Sequence, residues 1–243
     1  MFSVITIDFW QTLYDNANGK ERKAQRKKAL AEAISAENPA PDLLKVEKAY
    51  ASLWDYFDHH WLGRQRTPTS EEMVGFLLQH LDVSLSDERL NDIVRVFEEG
   101  ILEHPPNLLP GVREGLEYLT SGARLALISD TAFSPGSVLR RVMERDDIAR
   151  HFEVFVFSNE TGLSKPHPEA FRMAIEPLGG KPETSLHIGD IERTDIRGAK
   201  GIGMRTILYR NSRHLHKYNE EETEADGIME EWSEIESVVE SIL

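Results

Sequence analysis

Cysteine is absent from the chain, which rules out a disulfide framework, a thiolate metal site and a cysteine nucleophile together. Positive charge is scarce as well: 28 Lys and Arg stand against 42 Asp and Glu, a formal charge of -14. Such a field repels polyanions, so no nucleic-acid partner is expected. It does not exclude a small phosphorylated or carboxylated substrate, because a bound metal ion or a few cations override the long-range field locally. No apolar run approaches the ~18 residues that suggest a membrane span. The N-terminal run Met1-Phe-Ser-Val-Ile-Thr-Ile-Asp8 has neither the basic start nor the small-residue cleavage site of a signal peptide. A soluble, cytoplasmic chain with no membrane partner is expected, and the sequence leaves the oligomeric state open.

What is present suffices for a real interior, since 40% of the 243 residues are hydrophobic. Val4 to Ile7 is too short for a helix, β-branched throughout and apolar apart from Thr6, as a strand buried in a parallel sheet would be. Similar runs follow at 124–128, 152–157, 185–188 and 205–209, the first three of these breaking into polar residues at their C-terminal ends. Helix-like stretches at 112–119, 137–144, 168–178 and 195–199 alternate with them. This alternation predicts an α/β fold, a Rossmann-like doubly wound parallel sheet that binds its ligand beyond the carboxyl ends of the strands.

Residues 16–105 read differently. They carry amphipathic helical patterns at 23–34, 43–57, 71–81 and 87–103 with no convincing strand, and Pro105-Pro106 and Leu109-Pro-Gly111 mark the far boundary. The expected organisation is a core of residues 1–15 and 106–243 interrupted by a helical cap of residues 16–105. The acidic stretch 219–226 reads as a solvated loop.

Four signals carry the chemistry: Asp8 just past the first strand with Thr12 and Leu13 behind it, Ser129 at the end of another, Lys165 in Gly162-Leu-Ser-Lys-Pro-His-Pro168, and Gly189-Asp190 with Asp195 five residues on. Singly, Ser129 fits a strand-end cap, Lys165 a surface ion pair and Asp195 a helix N-cap. Jointly and in this order they are specific.

With these motifs the chain resembles the haloacid dehalogenase superfamily, over almost its whole length, and the helical insertion is placed like the cap of that family. The resemblance implies a hydrolase in which Asp8 is the nucleophile. Asp8 and Asp190 would hold Mg²⁺ together with the Trp10 carbonyl, hard oxygen donors suited to that ion. Lys165 would neutralise charge, and Ser129, Asp130 and Thr12 would line the substrate position, with Ser129 bonding the transferring group. Asp195 would orient the others from behind, through water or the lysine. The substrate would be a small phosphorylated metabolite or a haloacid.

One position departs from the family pattern. Phosphatases of this superfamily usually carry a second aspartate two residues after the nucleophile, as acid and base, and here that residue is Trp10, whose indole has no titratable proton near neutral pH. Three readings follow. A phosphohydrolase could take its proton from cap His59 or His60, or act on an acyl phosphate or anhydride that needs none; Asp190 favours this reading. A 2-haloacid dehalogenase fits Trp10 and would use Arg22 or Arg26 for the substrate carboxylate, but dehalogenases of this family replace the Gly-Asp metal motif. A low-turnover binding or regulatory protein is the third, and the joint presence of Asp8, Lys165 and Asp190 weighs against it. His59-His60 beside Trp61 reads foremost as packing, His214 and His216 lack an evident third ligand, and Arg64 and Arg66 are either substrate contacts or solvated.

Overall fold

The computed structural model describes residues 2–39, 41–210 and 222–243. Its sheet has six parallel strands, β1 (Val4–Ile7), β2 (Arg124–Ser129), β3 (Phe152–Phe157), β4 (Ser185–Gly189), β5 (Arg205–Tyr209) and β6 (Gly227–Met229), in the order β3-β2-β1-β4-β5-β6. The five strands expected from sequence are all present. The sixth gives no sequence signal, being a three-residue edge strand that starts on a glycine and leaves Ile228 exposed.

Side-chain alternation along the strands builds two interiors. Ile5, Ile7, Leu125 and Leu127 pack under α5 (Val112–Thr120), α6 (Gly136–Arg145) and α10 (Ile235–Ser241), while Val4, Ala126 and Ile128 pack on the other face under α8 (Pro168–Ile175). Covering both faces is why these strands are apolar throughout. Short helices α7 (Ser158–Thr161) and α9 (Arg197–Lys200) follow β3 and β4.

Two predicted helices differ in detail. The 168–178 helix stops at Ile175 and ends in a tight 3₁₀ turn around Pro177, which has no N–H to continue the ladder. The 195–199 helix starts earlier, as a wide turn over Glu192–Ile196 in which the Asp195 amide bonds the Ile191 carbonyl at 2.9 Å and the Ile196 amide bonds it at 3.4 Å.

Between β1 and α5 the described residues form four helices, α1 (Gly19–Glu37), α2 (Leu43–Arg64), α3 (Ser70–Leu81) and α4 (Asp87–Glu103). α2 runs seven residues past its predicted end because Phe57, His60 and Trp61 extend the buried stripe. Leu30, Leu53, Met73 and Phe97 meet in a cluster of their own, joined by Phe133 from the loop after β2 and Ile191 from the loop after β4. The two chain segments entering and leaving this helical unit lie side by side. The Asp15 amide donates to the Asn107 carbonyl at 3.0 Å, and the Asn107 amide donates back to Asp15 Oδ1 at 2.8 Å. Arg22 fastens both, donating to the carbonyls of Ala17 and His104, each at 2.7 Å.

No helix among the described residues is long and apolar enough to cross a membrane. His214 and His216, and part of the acidic stretch 219–226, lie outside the described residues.

Candidate active site

β1 and β4 are neighbours with Ile7 opposite Ile188, and the Asp8 amide continues the pairing by donating to the Ile188 carbonyl at 2.9 Å. Asp8 and Asp190 therefore stand at the carboxyl ends of adjacent strands, where the strand order reverses. Beyond Asp8 the chain turns sharply. The amides of Leu13 and Tyr14 both donate to the Phe9 carbonyl, and Gln11 takes a left-handed φ of 57°. The turn sets the half-buried Trp10 edge-on to Phe9, ring centroids 4.9 Å apart.

Lys165 comes from the loop after α7 and is 2% exposed, so a surface ion pair is excluded. Its Nζ bonds Asp8 Oδ1, Asp195 Oδ1 at 2.7 Å and the Ile128 carbonyl at 3.4 Å, tying the ends of β1, β2 and β4 through one cation. Asp195 is held in turn by His187 Nε2 at 2.9 Å and by the Ile191 amide at 3.1 Å, and His187 Nδ1 meets Thr6 Oγ1 at 2.7 Å. It is therefore no N-cap but the centre of a buried chain running from Thr6 to Asp8. Gly189 permits this approach, because a Cβ there would lie 2.4 Å from the Asp195 carboxyl carbon.

The electrostatics are lopsided. At the strand ends Asp8, Asp190 and Asp195 are buried and Asp130 is half-buried, with Lys165 the cation that bonds Asp8 and Asp195, while the buried Arg22 and Arg26 line the same cavity. Burial pushes the Asp8 carboxyl up to about 7, with Lys165 opposing and Asp195 adding to the rise. Burial and the neighbouring Asp8 and Asp195 carboxylates hold Asp190 well above the usual range. Burial would also raise Asp195, but Lys165 and His187 outweigh it and hold this group well below the carboxylate range. Burial alone would lower the Lys165 ammonium; Asp195, Asp8 and Asp130 together push it above its ordinary value.

Asp8, Trp10, Asp130, Lys165, Asp190 and Asp195 open onto one cavity of about 530 Å³ between the strand ends and the helices. Ser129 and Thr12 lie behind its wall. Ser129 Oγ is buried without a hydrogen-bond partner in the described structure, and Thr12 Oγ1 reaches Asp8 Oδ2 at 3.5 Å while its carbonyl accepts from Trp232 Nε1. Asp130 is already engaged, taking Trp61 Nε1 at 2.8 Å and the Lys165 amide at 3.0 Å.

For four cap residues the packing or surface reading holds. His59 is exposed and His60 packs on Tyr56 and Arg66, so neither reaches the cavity as an acid; Arg64 is exposed, and Arg66 pairs with Glu72 at 2.8 Å. His60→Gln should accordingly leave the pH–rate profile of kcat unchanged, whereas a proton donor replaced by an amide would lose the acid limb.

Arg22 and Arg26 do reach the cavity. Tyr50, Phe133 and Trp61 join them, residues with no signal of a site in the sequence, because their meeting depends on how α2 and the loop after β2 fold together. Thr6 and His187 were also missed. Their signal was a polar residue at matching positions of two otherwise apolar strands, which the register pairs directly.

Comparison with known proteins follows the same outline. The sequence profile of the haloacid dehalogenase-like hydrolases matches residues 2–203. A glyceraldehyde 3-phosphate phosphatase of Pyrococcus furiosus is 27% identical, the match covering 98% of this chain and 92% of that protein. In three dimensions the chain is similar to a protein from Bacillus subtilis described as a HAD-hydrolase bound to magnesium, with a TM-score of 0.66, 16% identity and 98% of both chains covered. It is also similar to a 2-haloacid dehalogenase of Pseudomonas syringae, with a TM-score of 0.62, 20% identity and 99% of both chains covered. With its sheet order, its inserted helices and a profile match that takes in all four sequence motifs, this chain belongs to the haloacid dehalogenase-like hydrolases.

Proposed function

We propose that the chain is a Mg²⁺-dependent phosphohydrolase acting on a small phosphorylated metabolite with a good leaving group, its core of residues 1–15 and 106–243 carrying the chemistry and residues 16–105 serving as a cap. The observation that carries this reading is the excess of buried carboxylate over cation at the ends of β1 and β4. Buried anions held together without compensation are costly, and a divalent cation offsets them. Among the described residues no three His, Cys, Asp or Glu side chains gather as a metal site. The donor set that fits is two carboxylates, Asp8 and Asp190, with the Trp10 carbonyl, a hard-oxygen set suited to Mg²⁺ with water in the remaining positions. When bound, this ion would screen the charge between an anionic nucleophile and an anionic phosphoryl group.

The chain's own residues would then divide the work. Asp8 attacks phosphorus, the bond to the leaving oxygen breaks, and water hydrolyses the resulting aspartyl phosphate to return the carboxylate and inorganic phosphate. Lys165 opposes protonation of Asp8 and neutralises the phosphoryl oxygens, and the otherwise unbonded Ser129 hydroxyl would supply a donor to them. Asp195, fixed by His187, holds Lys165 in place.

The aspartate that usually serves as acid and base is replaced by Trp10. Trp10 cannot act as that aspartate does, no histidine among the described residues lines the cavity, and Asp130 is held by Trp61 and by the Lys165 amide. Substrates whose leaving group departs unprotonated should therefore be favoured by the ~10² to 10⁴-fold that general acid catalysis typically provides.

The test is a parallel assay with Mg²⁺ or EDTA on acetyl phosphate, p-nitrophenyl phosphate and L-2-chloropropionate. The expected result is Mg²⁺-dependent phosphate release, greatest on acetyl phosphate, and no chloride. The second reading, a 2-haloacid dehalogenase, is favoured by Trp10 and by the buried Arg22 and Arg26, which line the same cavity as Asp8; chloride release that resists EDTA would establish it instead. The match to relatives named as phosphatases supports the first.

A further inference from the structure

Along α2, Tyr50, Trp54, Phe57 and Trp61 recur at the spacing of one helix face. All four line the cavity, and Phe133 from the loop after β2 joins them into a continuous row of rings. Ring centroids lie 6.2 Å apart for Tyr50 and Phe133, 5.6 Å for Phe133 and Trp54, 5.6 Å for Trp54 and Phe57, and 5.7 Å for Phe57 and Trp61. The row is tied to the reacting groups at Trp61, whose Nε1 donates to Asp130 Oδ2 while Asp130 Oδ1 accepts from the Lys165 amide. Tyr50, Phe57, Trp61 and Phe133 are buried. Trp54 is not: it is 43% exposed, and it lines the same cavity as Asp8 and Lys165. The half-buried Trp10 adds a second indole to that lining. An indole left in water at the wall of a site forgoes the burial and ring contact that a flat apolar ligand would supply.

We propose that this row receives an aromatic ring of the substrate, stacked against Trp54, so that the substrate class is a phosphate monoester of a phenol. The proposal rests on the phosphohydrolase reading and narrows it. Leaving-group chemistry agrees with the ring contacts. With Trp10 in place of the usual acid the leaving oxygen departs as an anion, and a phenolate, whose conjugate acid titrates at about 10 as tyrosine does, departs far more readily than the alkoxide of an ordinary alcohol. Asp8 forms its bond to phosphorus, the phosphorus–oxygen bond to the ring breaks with its electron pair, and the phenolate takes its proton from water. A second water then splits the aspartyl phosphate to the carboxylate and inorganic phosphate. Ring binding acts on affinity, and so adds to the leaving-group order of kcat without reversing it. The cavity, about 530 Å³, falls in the ordinary range for sites that hold small organic ligands.

The test is calorimetric titration of the whole protein, with Mg²⁺, by three phosphonates that carry the same anionic group: benzylphosphonate, in which a methylene stands for the ester oxygen and blocks hydrolysis, cyclohexylmethylphosphonate and methylphosphonate. Wild type should bind benzylphosphonate about ten- to a hundredfold more tightly than methylphosphonate, the range for burying one ring. It should prefer benzylphosphonate to cyclohexylmethylphosphonate by about two- to tenfold, the increment that aromatic pairs add beyond buried area. Trp54→Ala should cut the benzyl-to-methyl ratio by about three- to tenfold, and Trp54→Phe, which restores a ring, should recover most of it. The wild-type comparison needs no variant, so it stands even if Trp54→Ala fails to fold. Cyclohexylmethylphosphonate bound as tightly as benzylphosphonate would overturn the aromatic substrate class. Equal affinities for all three would overturn the row as a binding surface and spare the phosphohydrolase. A ratio unchanged in Trp54→Ala would overturn the assignment to Trp54, and failure of all three to bind would overturn the phosphohydrolase reading as well.

Discussion

Asp8→Asn should abolish hydrolysis, lowering kcat by at least ~10⁴-fold, the scale on which a covalent nucleophile is lost. It should do so while making the metal-free protein more stable, and this pairing separates chemistry from folding. Burial raises the Asp8 carboxyl to about 7 in the fold against 3.8 in the unfolded chain. The folded state therefore binds this proton more strongly. The contribution is present in full below about pH 4 and is lost as pH rises through about 7. At pH 8 the ionised carboxylate costs the fold on the order of 2–4 kcal/mol, and an amide of the same shape carries no such charge. Thermal unfolding at pH 8 in EDTA should show the higher Tm in Asp8→Asn. Mg²⁺ should then raise the Tm of wild type by more than that of the variant, because the ion binds the folded carboxylates and loses one of them in the substitution. Full activity in Asp8→Asn would end the nucleophile assignment. A Tm below wild type in EDTA would mean that the Lys165 contact outweighs the burial of the charge.

The second large effect is expected at Lys165. Lys165→Met keeps the aliphatic stem but removes the one buried cation that Asp8 and Asp195 share. Breaking a buried pair from one side typically costs about 3–5 kcal/mol, because it strands the partner charge. Losing a preorganised charge at the transferring group removes a further ~10²- to 10³-fold of rate. The pH dependence between pH 8 and 5 should steepen, and this distinguishes the assignment from simple damage to packing. In wild type Asp195 lies well below the usual carboxylate range, so its contribution is present above pH 4 and is lost only as pH falls through that low value. Without Lys165 the same carboxylates are raised by burial and mutual repulsion, the folded state takes up protons, and stability grows as pH falls from 8 toward 5. Denaturation midpoints at pH 8 and pH 5 should show the deficit of Lys165→Met shrinking in acid. A deficit independent of pH would indicate lost packing alone.

Asp8 and Asp190 are legible one strand at a time. Asp8 follows Val4–Ile7, and Gly189-Asp190 follows 185–188, so a short apolar run and its first polar residues suffice to identify each. The helices of 16–105 were legible for the same reason, a 3.6-residue apolar period within each segment. Their ends were not. α1 begins at Gly19 through Lys20-Glu21, which carry no apolar signal, and Asn18 before it offers no side-chain cap. His59 and His60 show the limit of reading chemistry from residue type alone. Both can donate protons, yet the rotation of α2 turns one to solvent and the other onto Tyr56.

The sequence by itself determined the doubly wound core, the four-helix insertion, and the order in which Asp8, Ser129, Lys165 and Asp190 meet at the strand ends, because each depends on patterns a few residues long and on the handedness of parallel connections. Tertiary structure alone decided what shares their cavity. Arg26 on α1, Tyr50 on α2 and Phe133 after β2 are brought together by the packing of the helical unit on the sheet. In the same way the single cation at Lys165 has to balance carboxylates from three separate strand ends. Those contacts join residues up to 157 positions apart, and no local period encodes them; they follow from which faces are buried against each other once the whole chain has closed.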